Sequence, residues 1–287
     1  MAFTVACAQF APEKAEVDRN LDTIAEVIVQ AHGEGADLLV LPETSTSGYF
    51  LEGGVLEASL TKSELVDSLW NRLRGKLSRP IDVSLGFYLN EEGNLYNAAA
   101  YLEINPEGPK IVGLYRKFFL PTYGVFDEER FVSRGRDVCV METRLGRFAM
   151  LVCEDVWHGI MPTICAVRGA QLLIVPSASP ARGFHASTID NLDRYRRLFR
   201  AIAEEHGLWC VNAQLVGFEG GKGFIGGSSV IDPLGRTVGE APIAEAHLML
   251  AEIDLELVTI ARAQSPLLSD LQSAWEEIRR LVANTDF

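Results

Sequence analysis

The chain is poor in the groups that build metal centres and disulfide frameworks. It holds five cysteines and five histidines among 287 residues. The cysteine count is odd, and no two cysteines are spaced C-x-x-C. That excludes the usual signs of a disulfide framework or structural zinc site and makes a reducing cytoplasm the expected setting. The histidines show no metal-ligand spacing either, so no metal is expected. No apolar run reaches the roughly 18 residues that a membrane span needs. The first ten residues lack a basic stretch followed by an apolar one, so no secretory signal is expected. Positive charge is in deficit, with 26 Lys and Arg against 39 Asp and Glu and a net charge of −13. Such a balance favours solubility and disfavours nucleic acid or an anionic membrane as partner. There is no Pro/Gly/Ser-rich linker and no internal repeat, so residues 1–287 are read as a single domain.

Several familiar chemical motifs are also missing. Gly221, Gly223 and Gly226 satisfy G-x-G-x-x-G in form, but a strand-like segment follows where a dinucleotide site needs a helix. Gly223 stands after Lys222 where a phosphate-binding loop needs Ser or Thr. No G-x-S-x-G elbow occurs. The basic stretch Arg194, Arg196, Arg197 and Arg200 reads as a helix face making ion pairs, with Glu204 and Glu205 as candidate partners, rather than as a nucleic-acid site.

What is present is a chain with 48% hydrophobic and 23% charged residues, ordinary for a globular protein. Short apolar runs alternate with helical patterns. Strands are expected at Phe3–Gln9, Asp37–Leu41, Val83–Leu89, Asn94–Ile104, Lys110–Tyr115, Arg147–Cys153, Leu172–Pro176, Leu208–Ala213, Ser228–Ile231, Arg236–Gly239 and His247–Ile253. Apolar residues at 21, 24, 25, 28 and 31 give Asn20–Ala31 a helical period. Further helices are expected at Ser63–Leu77, Gly159–Arg168, Thr188–His206 and Leu268–Val282. This alternation defines an α/β layered fold, and two sheets covered by helices would accommodate the strands.

Three residues stand out chemically. Cys153, in MLVCEDVWHG, sits where an apolar strand stops and a polar turn begins, the place where α/β folds expose reactive groups. It reads either as a nucleophile or as a buried structural cysteine. Cys7, Cys139 and Cys210 lie inside apolar strands, and Cys165 lies in a helix; these fit the structural role. Glu43, in LLVLPE, follows a buried strand and a proline, a placement suited to proton transfer, although most such glutamates are solvated. Lys117, in YRKFFLP, is flanked by large apolar residues. It is either an oxyanion stabiliser or a lysine whose stem lies along the surface. His158, five residues after Cys153, offers a competing Cys–His reading.

LVLPE, YRKFFLPTYGVFDEERF, CEDVW, SASP and GGSSVIDPLG together resemble, in order and spacing, the nitrilase (carbon–nitrogen hydrolase) superfamily. The resemblance runs from about residue 3 to residue 255, with 74 residues from Glu43 to Lys117 and 36 from Lys117 to Cys153. It implies an αββα sandwich and a Glu-Lys-Cys triad that uses no metal or organic cofactor. Glu43 would be the general base and acid, Lys117 an oxyanion donor and Cys153 the nucleophile. The backbone N–H of Glu154 would be a second oxyanion donor. A further glutamate of the family corresponds to Glu128, with Glu129 as the near alternative.

Within the superfamily the wording is most similar to the glutamine-hydrolysing domain of glutamine-dependent NAD synthetases. That likeness would place Tyr123 and Ser177 or Ser179 against the substrate. The basic residues that family carries after SASP have no clear counterpart in ARGFHAST, where Arg182 is the available cation. The expected activity is therefore release of ammonia from a small amide. A glutaminase subunit feeding a partner synthetase, a nitrilase and a non-catalytic scaffold are the alternatives. A homodimer or higher homo-oligomer is expected from the resemblance. Leu267, Leu268, Leu271, Trp275, Ile278 and Leu281 form a wide apolar stripe near the end of the chain, which must pack on its own core or on a partner.

Overall fold

The computed structural model describes residues 1–185 and 188–285. Two six-stranded mixed sheets form its centre. In the first sheet the strand order is His247–Asp254, Ala2–Gln9, Leu38–Val40, Ile81–Glu91, Asn94–Asn105, Gly108–Arg116. The second runs Thr237–Glu240, Ser229–Ile231, Trp209–Gln214, Leu172–Ser177, Gly146–Met150, Cys139–Thr143. Each sheet has three parallel strands at its centre and antiparallel strands outside them.

Strand alternation sorts the side chains between layers. In Asn94–Asn105, Ala99 and Tyr101 face the second sheet, while Ala98, Ala100, Leu102 and Ile104 pack under the outer helices. The helices Val17–Gly33 and Lys62–Leu73 bury Leu21, Ile24, Ile28, Leu65 and Leu69 on that outer face. The second of these begins with a capping box, in which Thr61 Oγ1 accepts from the Glu64 N–H and the Glu64 carboxylate accepts from the Thr61 N–H. On the far side, Ile160–Val167 and Asp190–His206 contribute Met161, Cys165, Tyr195, Phe199 and Ile202 to the larger core. The result is the four-layer αββα sandwich.

Most expected elements are present, with ends shifted by a few residues. Some differ more. The helix expected from Thr188 starts at Asp190, because Thr188–Ile189 pairs antiparallel with Phe184–His185. The single helix expected over Leu268–Val282 is two, Leu267–Ser273 and Trp275–Ala283, separated at Ala274. The first buries Leu268 and packs Leu271 on the core, while the second buries no residue. The arginine stretch does not pair with Glu204 or Glu205. Arg196 pairs with Asp193 and Glu240, and Arg194 and Arg197 line a cavity. The strands Val216–Glu219 and Lys222–Ile225 form a hairpin around Gly220 and Gly221, so the formal glycine motif is a β-turn region. No helix among the described residues is long and apolar enough to cross a membrane.

Candidate active site

The strand Leu38–Val40 ends at the Pro42–Glu43 turn, and a neighbouring strand holds that turn at close range. The Gly86 N–H donates to the Pro42 carbonyl at 3.0 Å. A Cβ at Gly86 would lie 2.5 Å from the Glu43 Cα, so only glycine permits this approach. Thr44 and Cys153 both adopt left-handed backbone conformations with φ of 49°. Such conformations are uncommon outside glycine and concentrate where function requires them. Cys153 is half-buried and opens the 3₁₀ helix Cys153–Trp157, directly after the apolar segment of the strand Gly146–Met150.

Lys117 is fully buried, which removes the surface-lysine reading. Its Nζ donates to Glu43 Oε1 at 2.8 Å and stands 2.8 Å from Glu128 Oε2. Asn97 Nδ2 donates to Glu43 Oε1 at 2.7 Å and to Glu128 Oε1 at 2.5 Å. The Ala178 N–H donates to Glu43 Oε2 at 2.8 Å. Both carboxylates are thus held by the same ammonium and the same amide. Glu129 is not part of this cluster, since its carboxylate lies by Arg134 at 3.6 Å.

Burial works against charge in this cluster, and neighbouring charges decide the outcome. Burial pushes the Glu128 carboxyl up to about 7, against the pull of Lys117. It disfavours the Lys117 ammonium too, but Glu128 and Glu43 outweigh it and the net shift is upward. Burial and then the Glu43 charge raise the Cys153 thiol, while Lys117 and the Tyr195 hydroxyl act in the opposite direction. The resting sulfur is therefore a thiol, and an adjacent base must take its proton for it to attack.

Besides Asn97, two further residues not anticipated from sequence complete the cluster. Tyr195, on the helix Asp190–His206, places its hydroxyl 3.2 Å from Cys153 Sγ. Asp155 is buried and accepts from the Val152 N–H at 3.0 Å, the Phe119 N–H at 2.8 Å and the Tyr115 hydroxyl at 2.8 Å. It ties the lysine segment to the cysteine segment. The CEDVW wording shows an acid two residues after the cysteine, but the partners that tie it to the lysine segment, Phe119 and Tyr115, are 36 and 40 positions away and leave no local signal.

The remaining sequence candidates separate. Tyr123 and Glu154 line a cavity of about 740 Å³, and the Tyr123 hydroxyl donates to the Glu154 carboxylate at 2.9 Å. Ser177 and Ser179 are buried and do not line it. Ser177 Oγ accepts from Asn212 at 2.9 Å, and Ser179 Oγ accepts from Asn191 at 2.8 Å. His158 stacks on Phe119 at 3.6 Å between ring centroids and lies 3.9 Å from Glu154, with no bond to Cys153. Cys7, Cys165 and Cys210 are buried, and burial raises Cys7 and Cys165 to about 12. Among the described residues, no group of three or more His, Cys, Asp or Glu could hold a metal ion.

The fold and comparisons with known proteins define a hydrolase acting on carbon–nitrogen bonds. Residues 4–263 match the carbon–nitrogen hydrolase family, and the chain belongs to that family. It is 29% identical over 256 residues to the glutamine-dependent NAD(+) synthetase of Acinetobacter baylyi, covering 89% of this chain but only 45% of the synthetase. An amidase from Nesterenkonia sp. superposes with a TM-score of 0.73 at 29% identity, over 91% of this chain and 94% of the amidase. In a Glu-to-Gln mutant of the Nesterenkonia sp. AN1 amidase, the active-site cysteine carries the acetamide moiety of fluoroacetamide. A carbon–nitrogen hydrolase from Helicobacter pylori shares the fold, with a TM-score of 0.79 at 23% identity over 94% of this chain and 95% of that one.

Proposed function

We propose that the protein is an amidase that hydrolyses a small primary amide to a carboxylic acid and ammonia through a thioester on Cys153. The observation that carries this reading is the buried Lys117, 2.8 Å from both Glu43 and Glu128 beside a cysteine in a left-handed conformation. Glu43 takes the thiol proton as Cys153 Sγ bonds to the amide carbon. The carbonyl oxygen becomes an oxyanion, stabilised by the Lys117 ammonium and the Glu154 backbone N–H. As the C–N bond breaks, Glu43 returns its proton to the nitrogen and ammonia leaves. Glu43 then deprotonates a water that attacks the thioester, which releases the acid and restores the thiol. Glu128 and Asn97 hold Glu43 and Lys117 in register.

A glutaminase that supplies ammonia to a partner synthetase is the second reading. It is favoured by the likeness to the NAD(+) synthetases, of which this chain spans about half or less. The test is an ammonia-release screen over primary amides, glutamine, N-carbamoyl compounds and nitriles. Turnover of at least one amide by the wild type, abolished in a folded Cys153→Ala protein, is expected. Full ammonia release by that variant would remove Cys153 as the nucleophile.

A further inference from the structure

The hairpin formed by Val216–Glu219 and Lys222–Ile225 sends one acidic side chain inward. Phe218 is 84% exposed, whereas its neighbour Glu219 is 5% exposed. Burying a carboxylate is costly unless hydrogen-bond donors meet it, and burial pushes the Glu219 carboxyl up. The donors here are backbone N–H groups 170 and 169 positions away. The Tyr49 N–H donates to Glu219 Oε2 at 2.9 Å, and the Phe50 N–H donates to the same oxygen at 2.8 Å. The preceding residue makes room for this approach. Gly48 has a φ of 80°, and a Cβ there would lie 2.8 Å from Glu219 Oε1.

The segment that Glu219 grips leads to the charge cluster. The Tyr49 carbonyl accepts from the Tyr88 hydroxyl at 2.8 Å, so both polar groups of the Tyr49 backbone are held by side chains from other elements. The Tyr49 ring meets Phe50 edge-on at 4.9 Å and Phe224, on the same hairpin as Glu219, at 6.4 Å. Lys117 Nζ lies over this ring, 5.6 Å from its centroid, in a setting where the ammonium is fully buried. Tyr49 and Glu128 also line one small cavity of about 190 Å³.

The hairpin is fastened without this carboxylate. The Val216 N–H donates to the Phe10 carbonyl at 3.2 Å, the Ala181 N–H to the Gly223 carbonyl at 2.8 Å and the Ile225 N–H to the Ser179 carbonyl at 3.2 Å. The last two bonds also place the hairpin beside Ala178, whose N–H donates to Glu43. What Glu219 adds to this backbone pairing is its hold on Tyr49 and Phe50. We infer that Glu219 is a positioning residue for the hydrolytic site: it fixes the Tyr49–Phe50 backbone, and through the Tyr49 ring it sets the Lys117 ammonium against Glu43 and Glu128. The hairpin then braces the cluster from two sides, at Glu43 through Ala178 and at Lys117 through Tyr49.

The inference rests on the amidase reading, and the test separates the two. Glu219→Gln keeps the shape of the side chain and removes the charge that receives the two N–H groups. On an amide that the wild type cleaves, kcat should fall about tenfold to a hundredfold, the cost of misplacing a catalytic group by about 1 Å, with a smaller change in KM. The rate at which iodoacetamide alkylates Cys153 at neutral pH should fall as well. That readout needs no turnover, because the resting thiol depends on Glu43 and its lysine to give up its proton. A role through Tyr49 predicts that Glu219→Gln lowers neither rate further when it is made in Tyr49→Leu. If Glu219 only fastens the hairpin, Glu219→Gln lowers the melting temperature and leaves kcat unchanged, or lowers kcat by the same factor in Tyr49→Leu. Either result would overturn the inference and leave the amidase reading intact. A protein that cleaves no amide would refute the amidase reading, and the alkylation rate then decides alone: slower in Glu219→Gln supports the positioning role, and unchanged overturns it. If Glu219→Gln does not fold, Tyr88→Phe, which releases the Tyr49 carbonyl, takes its place. Its kcat should fall about two- to tenfold, with no further fall in Tyr49→Leu, and an unchanged kcat would overturn the inference.

Discussion

Lys117 gives the sharpest test of the buried charge cluster, because its removal perturbs stability and chemistry in separable ways. Lys117→Met keeps most of the aliphatic stem and deletes the ammonium. Glu43 and Glu128, each 2.8 Å from that ammonium, are then left as two buried carboxylates joined only through Asn97. Breaking a buried pair by removing one partner typically costs about 3–5 kcal/mol. Glu128 already sits at about 7 with Lys117 in place, above its ordinary value of 4.5, so loss of the ammonium drives it further up. A carboxyl raised in the folded state binds its proton more tightly there than in the unfolded chain. Its favourable contribution is fully present below about pH 4.5 and is lost as pH rises through the folded value. The variant should therefore be close to wild type near pH 5 and weakest near pH 8.5. Relative to wild type the extra proton is retained only from about pH 7 to 8.5, and at about 1.4 kcal/mol per unit that gives about 2 kcal/mol of pH-dependent penalty. Urea unfolding followed by circular dichroism at both pH values measures it. Adding Glu128→Gln to the variant should restore much of the stability at high pH and none of the activity. A penalty below about 1 kcal/mol at pH 8.5 would mean that Lys117 does not neutralise two carboxylates. An equal penalty at both pH values would carry the same meaning.

Glu43→Gln should lower the rate of ammonia release by about 10²–10⁴, the usual contribution of a general base, and more than a tenth of wild-type activity would assign the base elsewhere. Tyr195→Phe removes the hydroxyl that lies 3.2 Å from Cys153 Sγ and should lower kcat by about two- to tenfold. The same change should move the alkylation of Cys153 by iodoacetamide to higher pH, and an unaltered pH profile would leave Tyr195 a packing residue only. The helix Trp275–Ala283 buries none of its residues, Leu281 and Val282 are exposed, and Val282 lines a groove with Ile160, so a homodimer across this face is expected. Light scattering giving a mass near 31.5 kDa across the working concentration range would refute it.

Much of this molecule was legible along the chain because its signals are local. Strands such as Ile81–Glu91 alternate apolar residues, helices repeat them every three or four positions, and both patterns follow from backbone geometry alone. Glu43, Lys117 and Cys153 were legible as a set because each ends or follows an apolar segment in a recognisable order of motifs. The Val216–Ile225 hairpin was not anticipated, since its strands are only four residues each and rich in glycine. The break at Ala274 was also missed, because the apolar period continues through it.

Tertiary structure alone decided what surrounds those three residues. Asn97 reaches Glu43 across 54 positions, Tyr195 reaches Cys153 across 42, and Ala178 reaches Glu43 across 135. No periodicity encodes such pairs, because they arise where separate strands and a covering helix meet in the packed fold. The choice of Glu128 over Glu129 is of the same kind. Adjacent residues on a 3₁₀ turn point in different directions, and only the packed position of that turn determines which carboxylate meets the lysine. The sequence by itself determined the layers and the residue types available for chemistry. The fold determined which of them lose their water and face one another, and that loss of solvent is what gives the buried ammonium and its two carboxylates their strength.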